Sequence, residues 1–248
     1  MMFGQIFKIG KYYRVDDWIH YLGYTLISSI LISNIELINF VLSAIILAYA
    51  YSLNDYYDKK MKKKYFLVPL ILYLLIIPFV SYSSFLISLS FLILFTLYSW
   101  PKVWLEGKPI ISTITNSIGF TLIFLIPFQG IEKIINNYSF ILLIFFLNTA
   151  AQLLHEIVDL KEDKKVKKIT TTAYFGVRKS LIFFKTCLLF VIILSFFILR
   201  KFLLISLSSI FFSLYFIGRK NVDIKVRKNF KTIGIIVGLI YILDLVRG

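Results

Sequence analysis

Leu154-His155-Glu156-Ile157-Val158-Asp159-Leu160-Lys161-Glu162-Asp163-Lys164-Lys165 closes an apolar run that begins near Phe140. Apolar residues, then a cluster of acids, then lysines is the grammar of a helix leaving a membrane on a basic side. An earlier stretch follows the same grammar: Leu53-Asn54-Asp55-Tyr56-Tyr57-Asp58-Lys59-Lys60 ends the apolar run that starts at Leu37. At an offset of 101 residues Asn54 matches His155, Asp55 matches Glu156 and Asp58 matches Asp159, while Lys62 stands where the second copy has Asp163. One motif occurs twice, at 54–62 and 155–163, and an internal repeat within a single domain spanning 1–248 is the expected organisation.

Composition extends this reading to the whole chain. Hydrophobic residues make up 59% of the 248, with 25 Phe and 16 Tyr, against about 45–50% apolar in soluble domains. Too few polar side chains remain to cover a soluble globule. The formal net charge of +15 does not indicate a nucleic-acid partner, because the basic residues fall in short runs between apolar stretches and form no single stripe. Cys187 is the only cysteine and lies in an apolar run, which excludes an internal disulfide and a cysteine-based metal site. Met1–Asp17 has no apolar core before a cleavage site, so the first apolar stretch is expected to be a retained membrane helix.

Nine spans are expected, at Trp18–Ile35, Leu37–Asn54, Phe66–Val80, Phe85–Trp100, Ser112–Phe128, Phe140–Glu156, Ser180–Leu199, Phe202–Ile217 and Phe230–Val246. Several approach 16 residues, short of the roughly 20 that cross the hydrocarbon core. With a cytoplasmic N-terminus, 23 basic residues fall on that side: Lys8, Lys11 and Arg14, then Lys59 to Lys64, Lys102 and Lys108, Lys161 to Lys179, and Arg219 to Lys231. Only Lys133, Arg200, Lys201 and Arg247 fall opposite. That bias obeys the positive-inside rule. The fold class is therefore all-α: a polytopic, multi-pass protein of the cell membrane, its nine transmembrane helices in one bundle. Four spans separate the two acidic patches, so both are cytoplasmic and equally oriented.

On a helix, Asn54 or Asp55 shares a face with Asp58, and Asn148, Gln152, His155 with Glu156, Asp159 and Asp163 form a polar stripe. Polar groups at membrane depth are costly and face a cavity or the bundle interior. Oxygen donors so spaced suit Mg²⁺, which keeps several waters and joins one or two carboxylates to substrate phosphates. Asn54, Asp55, Asp58, Asp159 and Asp163 are the candidate metal ligands, the four aspartates being the candidate catalytic residues. Taken singly, Asp58, Glu162 or Asp163 also reads as a solvated group in a lysine-rich loop; two matched patches do not. His155 has three readings: cavity wall, partner of a ligand, or packed polar residue. Tyr51 and Tyr57 read as lining for a lipid tail or as interfacial anchors.

A third stretch, Leu97-Tyr98-Ser99-Trp100-Pro101-Lys102-Val103-Trp104-Leu105-Glu106-Gly107-Lys108-Pro109, belongs to the same side. Pro101, Gly107 and Pro109 impose turns. Lys102 and Lys108 are candidates to reach a phosphate, with Tyr98 and Ser99 as hydrogen-bond donors; an aromatic belt with interfacial lysines is the alternative. Asn116 is a lone polar residue in the next span. Lys62, within the basic run Lys59–Lys64, either clamps a phosphate one turn beyond Asp58 or points to solvent.

Together these stretches resemble the UbiA-type intramembrane prenyltransferase superfamily, which includes 4-hydroxybenzoate polyprenyltransferases and archaeal ether-lipid synthases. The family's first motif, N-D-x-x-D-x-x-x-D, is matched by Asn54, Asp55 and Asp58, with Lys62 at its last aspartate. Its second motif is matched by His155, Asp159 and Asp163, followed by Lys164, Lys165, Lys168, Thr170 and Gly176. Its Y-S-x-P block is present as Tyr98, Ser99 and Pro101, but Trp104 and Glu106 replace the usual downstream basic residues. The resemblance implies Mg²⁺ as cofactor, a polyprenyl diphosphate donor, a hydrophobic or aromatic acceptor, and alkyl transfer within the lipid bilayer. Asn54, Lys62, Tyr98, Ser99, Lys102, Lys108, Asn116, Asn148, Gln152, His155 and Lys164 are the candidate substrate-binding residues. A non-catalytic lipid-binding or transport protein of the same fold is the alternative.

Overall fold

The computed structural model describes residues 13–165, 168–219 and 221–247. Lys8, Lys11, Lys167 and Lys220 of the charge count, and the sequence ahead of Tyr13, lie outside them. Helices of ten residues or more among the described residues are labelled α1 (Leu22–Leu31), α2 (Leu37–Tyr57), α3 (Lys63–Ile76), α4 (Tyr82–Ser99), α5 (Ile111–Leu125), α6 (Tyr138–Lys165), α7 (Val177–Ile198), α8 (Leu203–Ile217) and α9 (Ile224–Arg247). The protein is all-α and polytopic: α2, α4, α6, α7 and α9 are long and apolar enough to cross a membrane, and α5 and α8 are apolar but shorter. Outward faces carry large apolar side chains such as Leu86 of α4, Phe197 of α7, Phe211 of α8 and Leu243 of α9, which a bilayer covers at no desolvation cost.

Boundaries depart from the expected spans where polar residues intervene. The first span is not one helix: Val15–Trp18, a 3₁₀ turn at Ile19–Tyr21 and α1 follow one another, and the chain turns at Ser33 with φ 54°. Ten residues in α1 rise about 15 Å, half the hydrocarbon thickness. In the opposite sense α6 runs 28 residues, well past the expected end at Glu156, because Asp159 to Lys165 continue the helix as a charged mast.

The chain forms two compact units: Met1–Trp104 with Leu122–Lys133, and Leu105–Thr121 with Ile134–Gly248. In the first, α2 is central, packed by α1, α3 and α4. Leu42, Ile46 and Leu47 are fully buried there, as is Phe91 of α4. Hydroxyl bridges join the helices: Thr25 to Ser43 at 2.8 Å, Tyr49 to Thr96 at 2.9 Å and Tyr73 to Ser88 at 3.1 Å. Ser84 donates to the Ile126 carbonyl at 2.8 Å and Asn34 to the Pro127 carbonyl at 3.3 Å, satisfying groups freed where α5 ends.

In the second unit α7 packs against α6 and α8. Ala150, Leu153 and Leu154 meet Phe184, Leu188, Phe212 and Phe216, and Val226, Phe230, Ile233 and Val237 of α9 close over this core. The Phe230 ring lies 4.8 Å from that of Phe212 and 4.9 Å from that of Phe216. Serines inside α7 and α8 turn back on their own helices, Ser195 to Val191 and Ser206 to Phe202, both at 2.7 Å, the usual way a hydroxyl is satisfied where water is absent. The Asp244 carboxylate of α9 accepts from the Ile205 amide at 2.9 Å, capping α8.

Candidate active site

The first acidic motif straddles a helix end. Asn54 and Asp55 lie in the last turn of α2, and Asp58 is its C-cap, its amide bonded to the Asn54 carbonyl at 2.9 Å. Asp55 turns inward and is buried; Asp58 points out, 43% exposed, and pairs with Lys60 at 2.8 Å. Helical continuity, which would have put Lys62 one turn beyond Asp58, is broken: Lys59 has φ 58°, and Lys62 is an exposed, extended N-cap of α3. The helical placement expected for Lys62 is corrected accordingly.

Arg14 is the residue that sequence reasoning missed at this motif. Its Nη1 donates to Asp55 at 3.2 Å, its Nε to Asp17 at 2.7 Å, and its guanidinium stands 5.2 Å from the Tyr51 ring centre. An arginine held between two carboxylates over an aromatic face is a firm counter-charge. It lies 41 residues from Asp55, and no local pattern connects the two.

The second motif divides into two rows along α6. Asn148, Gln152 and Glu156 form the inward row. Glu156 is buried and accepts from the Thr113 hydroxyl at 2.7 Å, the Thr172 amide at 3.1 Å and Gln152 at 3.3 Å. Thr113 also shares a 2.5 Å hydrogen bond with Thr171, whose hydroxyl accepts from the Ile110 amide. Glu156 thereby joins α5, α6 and the short helix Thr171–Phe175, itself capped by Thr170 and ended by Gly176 at φ 82°. Gln152, expected beside substrate, is half-buried and donates to Glu156.

His155, Asp159 and Asp163 form the outward row. His155 Nδ1 lies 2.6 Å from Asp159 Oδ2, and Arg227 of α9 donates to Asp159 Oδ1 at 2.7 Å. Asp163 is contacted by the Thr170 hydroxyl at 3.4 Å. Lys164 is exposed. Lys168 forms a largely enclosed ion pair with Glu106, so an acid of the third stretch neutralises the lysine that follows the second motif.

The third stretch is shared between the two units. Tyr98 and Ser99 end α4 and are buried, Tyr98 against Phe95 at 5.8 Å. Lys102 is exposed, 5.8 Å from the Trp100 ring centre. Trp104 takes the left-handed conformation at φ 43°; Lys108 is exposed, and Asn116 is buried on α5. An open cleft of about 520 Å³ at the α8–α9 turn is lined by Tyr215, Arg219, Asn221, Asp223 and Lys225 and includes no residue of the acidic motifs.

Among the described residues no group of three or more His, Cys, Asp or Glu side chains converges as a ready-made metal cage. The four aspartates are instead set out at helix ends, each of three matched by a cation.

A profile described as the UbiA prenyltransferase family matches residues 63–231, beginning just after the first acidic motif and including the second. No curated protein matches the chain by sequence. Among solved structures, a UbiA homolog from Archaeoglobus fulgidus bound to GPP and Mg²⁺ superposes with TM-score 0.76 at 18% identity, over 97% of this chain and 98% of that one. The same organism's homolog bound to DMAPP and Mg²⁺ gives 0.73 at 20%, over 95% and 99%. A digeranylgeranylglyceryl phosphate synthase gives 0.73 at 19%, over 99% and 100%.

Proposed function

Since the chain belongs to the UbiA prenyltransferase family, we propose that it transfers a polyprenyl group from a polyprenyl diphosphate to a lipophilic or aromatic acceptor within the membrane, with Mg²⁺ as cofactor. The observation that carries this reading is the pair of acidic motifs at the ends of α2 and α6, in a chain whose fold is that of homologs bound to GPP or DMAPP and Mg²⁺.

The residues present fit that ion. Positive groups already stand on Asp55, Asp58 and Asp159, namely Arg14, Lys60 and Arg227, so these carboxylates occupy positions where positive charge is stabilised. Sparse carboxylate oxygens rather than a closed cage are what Mg²⁺ takes when phosphates complete its shell. Asn54, Asp55 and Asp58 at the end of α2, and Asp159 and Asp163 on α6, are the residues proposed as ligands for Mg²⁺; when bound, the ion would neutralise charge developing on the departing diphosphate. Lys62, Lys102, Lys108 and Lys164 supply cations on the same cytoplasmic side, and the apolar helix faces exclude water from a reactive allylic group. Asn116 and Asn148 are buried amides proposed to orient substrate. Tyr98 and Ser99 close α4 beside Lys102.

We further propose that the full chain crosses the membrane nine times from a cytoplasmic N-terminus, with a duplicated four-helix unit and one added helix. The 23 to four division of basic residues supports that topology.

The test is transfer of radiolabel from polyprenyl diphosphates of several lengths, in membranes with Mg²⁺ or EDTA. Asp58→Asn and Asp159→Asn each remove one charge with little change of shape, and each should lower Mg²⁺-dependent transfer by at least about 100-fold. Normal turnover in both variants refutes the assignment.

A further inference from the structure

Asp159 has no free oxygen: His155 takes Oδ2 and Arg227 takes Oδ1. Arg227 reaches it from 68 residues away, from the end of the first turn of α9. Both of its contacts, to Asp159 at 2.7 Å and to His155 Nδ1 at 3.1 Å, run through Nη1. Nε and Nη2 therefore remain without hydrogen-bond partners among the described residues, on a side chain 36% exposed. Lys168, the lysine that follows the second motif, is engaged by Glu106. The strongest uncommitted donor fork beside the second motif thus belongs to α9.

Resting on the function proposed above, we propose that Arg227 is an exchangeable counter-cation: it holds Asp159 in the donor-free protein and moves to the diphosphate when the donor loads with its metal. A guanidinium presents a planar fork suited to two phosphate oxygens, and the swap leaves neither the carboxylate nor the arginine without an opposite charge. No bond is made or broken in the exchange. Arg227 then disfavours metal alone, which must displace a cation from Asp159, and favours metal arriving with diphosphate, which offers that cation a new partner. Val226, Phe230, Ile233 and Val237 hold α9 on the α6–α8 core without help from Arg227, so the ion pair is not needed to dock the helix.

The experiment is isothermal titration of the purified full-length protein in detergent, with Mg²⁺ alone and with inorganic pyrophosphate at saturating Mg²⁺. Arg227→Gln should bind Mg²⁺ alone about fivefold more tightly and pyrophosphate about tenfold more weakly, two shifts of opposite sign. Arg227→Lys, which keeps the charge and loses the fork, should leave Mg²⁺ binding within about twofold while weakening pyrophosphate by about threefold, and it carries the test if the glutamine variant misfolds. A structural tether predicts neither shift. Unchanged affinities, or both shifts in one direction, overturn the exchange while wild-type binding of pyrophosphate with Mg²⁺ leaves the functional reading standing. Failure of the wild type to bind pyrophosphate at all overturns both.

Discussion

Glu156→Ala should be the most damaging single substitution in the acidic motifs for stability, although no metal-binding role is assigned to it. Its carboxylate takes hydrogen bonds from the Thr113 hydroxyl, the Thr172 amide and Gln152, and it is 3% exposed. Truncation leaves the Thr172 amide and the Gln152 amide without an acceptor; Thr113 keeps Thr171. An unmet buried donor costs about 1–3 kcal/mol, so the buried Thr172 amide, the half-buried Gln152 amide and the lost packing together amount to about 3–5 kcal/mol. For a chain of this size each kcal/mol moves the melting point by about 2–4 °C, giving a loss of about 10 °C in detergent by tryptophan fluorescence. Glu156→Gln retains one acceptor oxygen but turns an NH₂ toward one of the donors, and should lose about 1–2 kcal/mol. Thr113→Val combined with Glu156→Ala should cost about 1 kcal/mol less than the two changes added, because they share a bond. A Glu156→Ala protein melting within about 2 °C of wild type would refute the reasoning, since at 2–4 °C per kcal/mol it leaves no room for two stranded donors.

Two further outcomes follow from the fold. Cysteines placed singly at Lys63, Lys165 and Asn221 in a Cys187→Ala background should react with an impermeant maleimide only from the cytoplasmic side, and one at Asn137 only from outside; labelling Lys63 and Lys165 from opposite sides would sink the nine-span topology. Asp244→Ala removes the acceptor that caps α8 and should lower the melting point by about 2–4 °C, the effect of about 1 kcal/mol, whereas Asp244→Asn restores most of it.

What the sequence made legible was what is local. The run from Phe140 to Lys165 shows both its apolar body and its acidic end, because a helix keeps residues three and four apart on one side, and α6 is continuous there. Asp159 and Asp163 follow from that spacing alone. The partners that decide what each carboxylate does come from elsewhere in the chain: Arg14 for Asp55, Thr113 and Thr172 for Glu156, Arg227 for Asp159. Nothing in a stretch of ten residues records such partners. Lys62 was misplaced for the opposite reason, since helical spacing was extended past Tyr57, where the chain leaves the helix through Lys59. Glu106 stood out as a departure, and its ion pair with Lys168 gives that departure a physical content.

The 28 residues of α6 give a rod about 42 Å long, against about 30 Å of hydrocarbon. Asp159 and Asp163 ride about 32 and 38 Å from its start at Tyr138, beyond one hydrocarbon thickness. A diphosphate received at that level need not descend into oil, and an isoprenoid tail already dissolved in the leaflet need not climb out of it. Encounter is then lateral diffusion in two dimensions. The quantity that saturates such an enzyme is the mole fraction of donor among lipids, so adding buffer to a vesicle suspension leaves the turnover of each molecule unchanged, and adding phospholipid slows it.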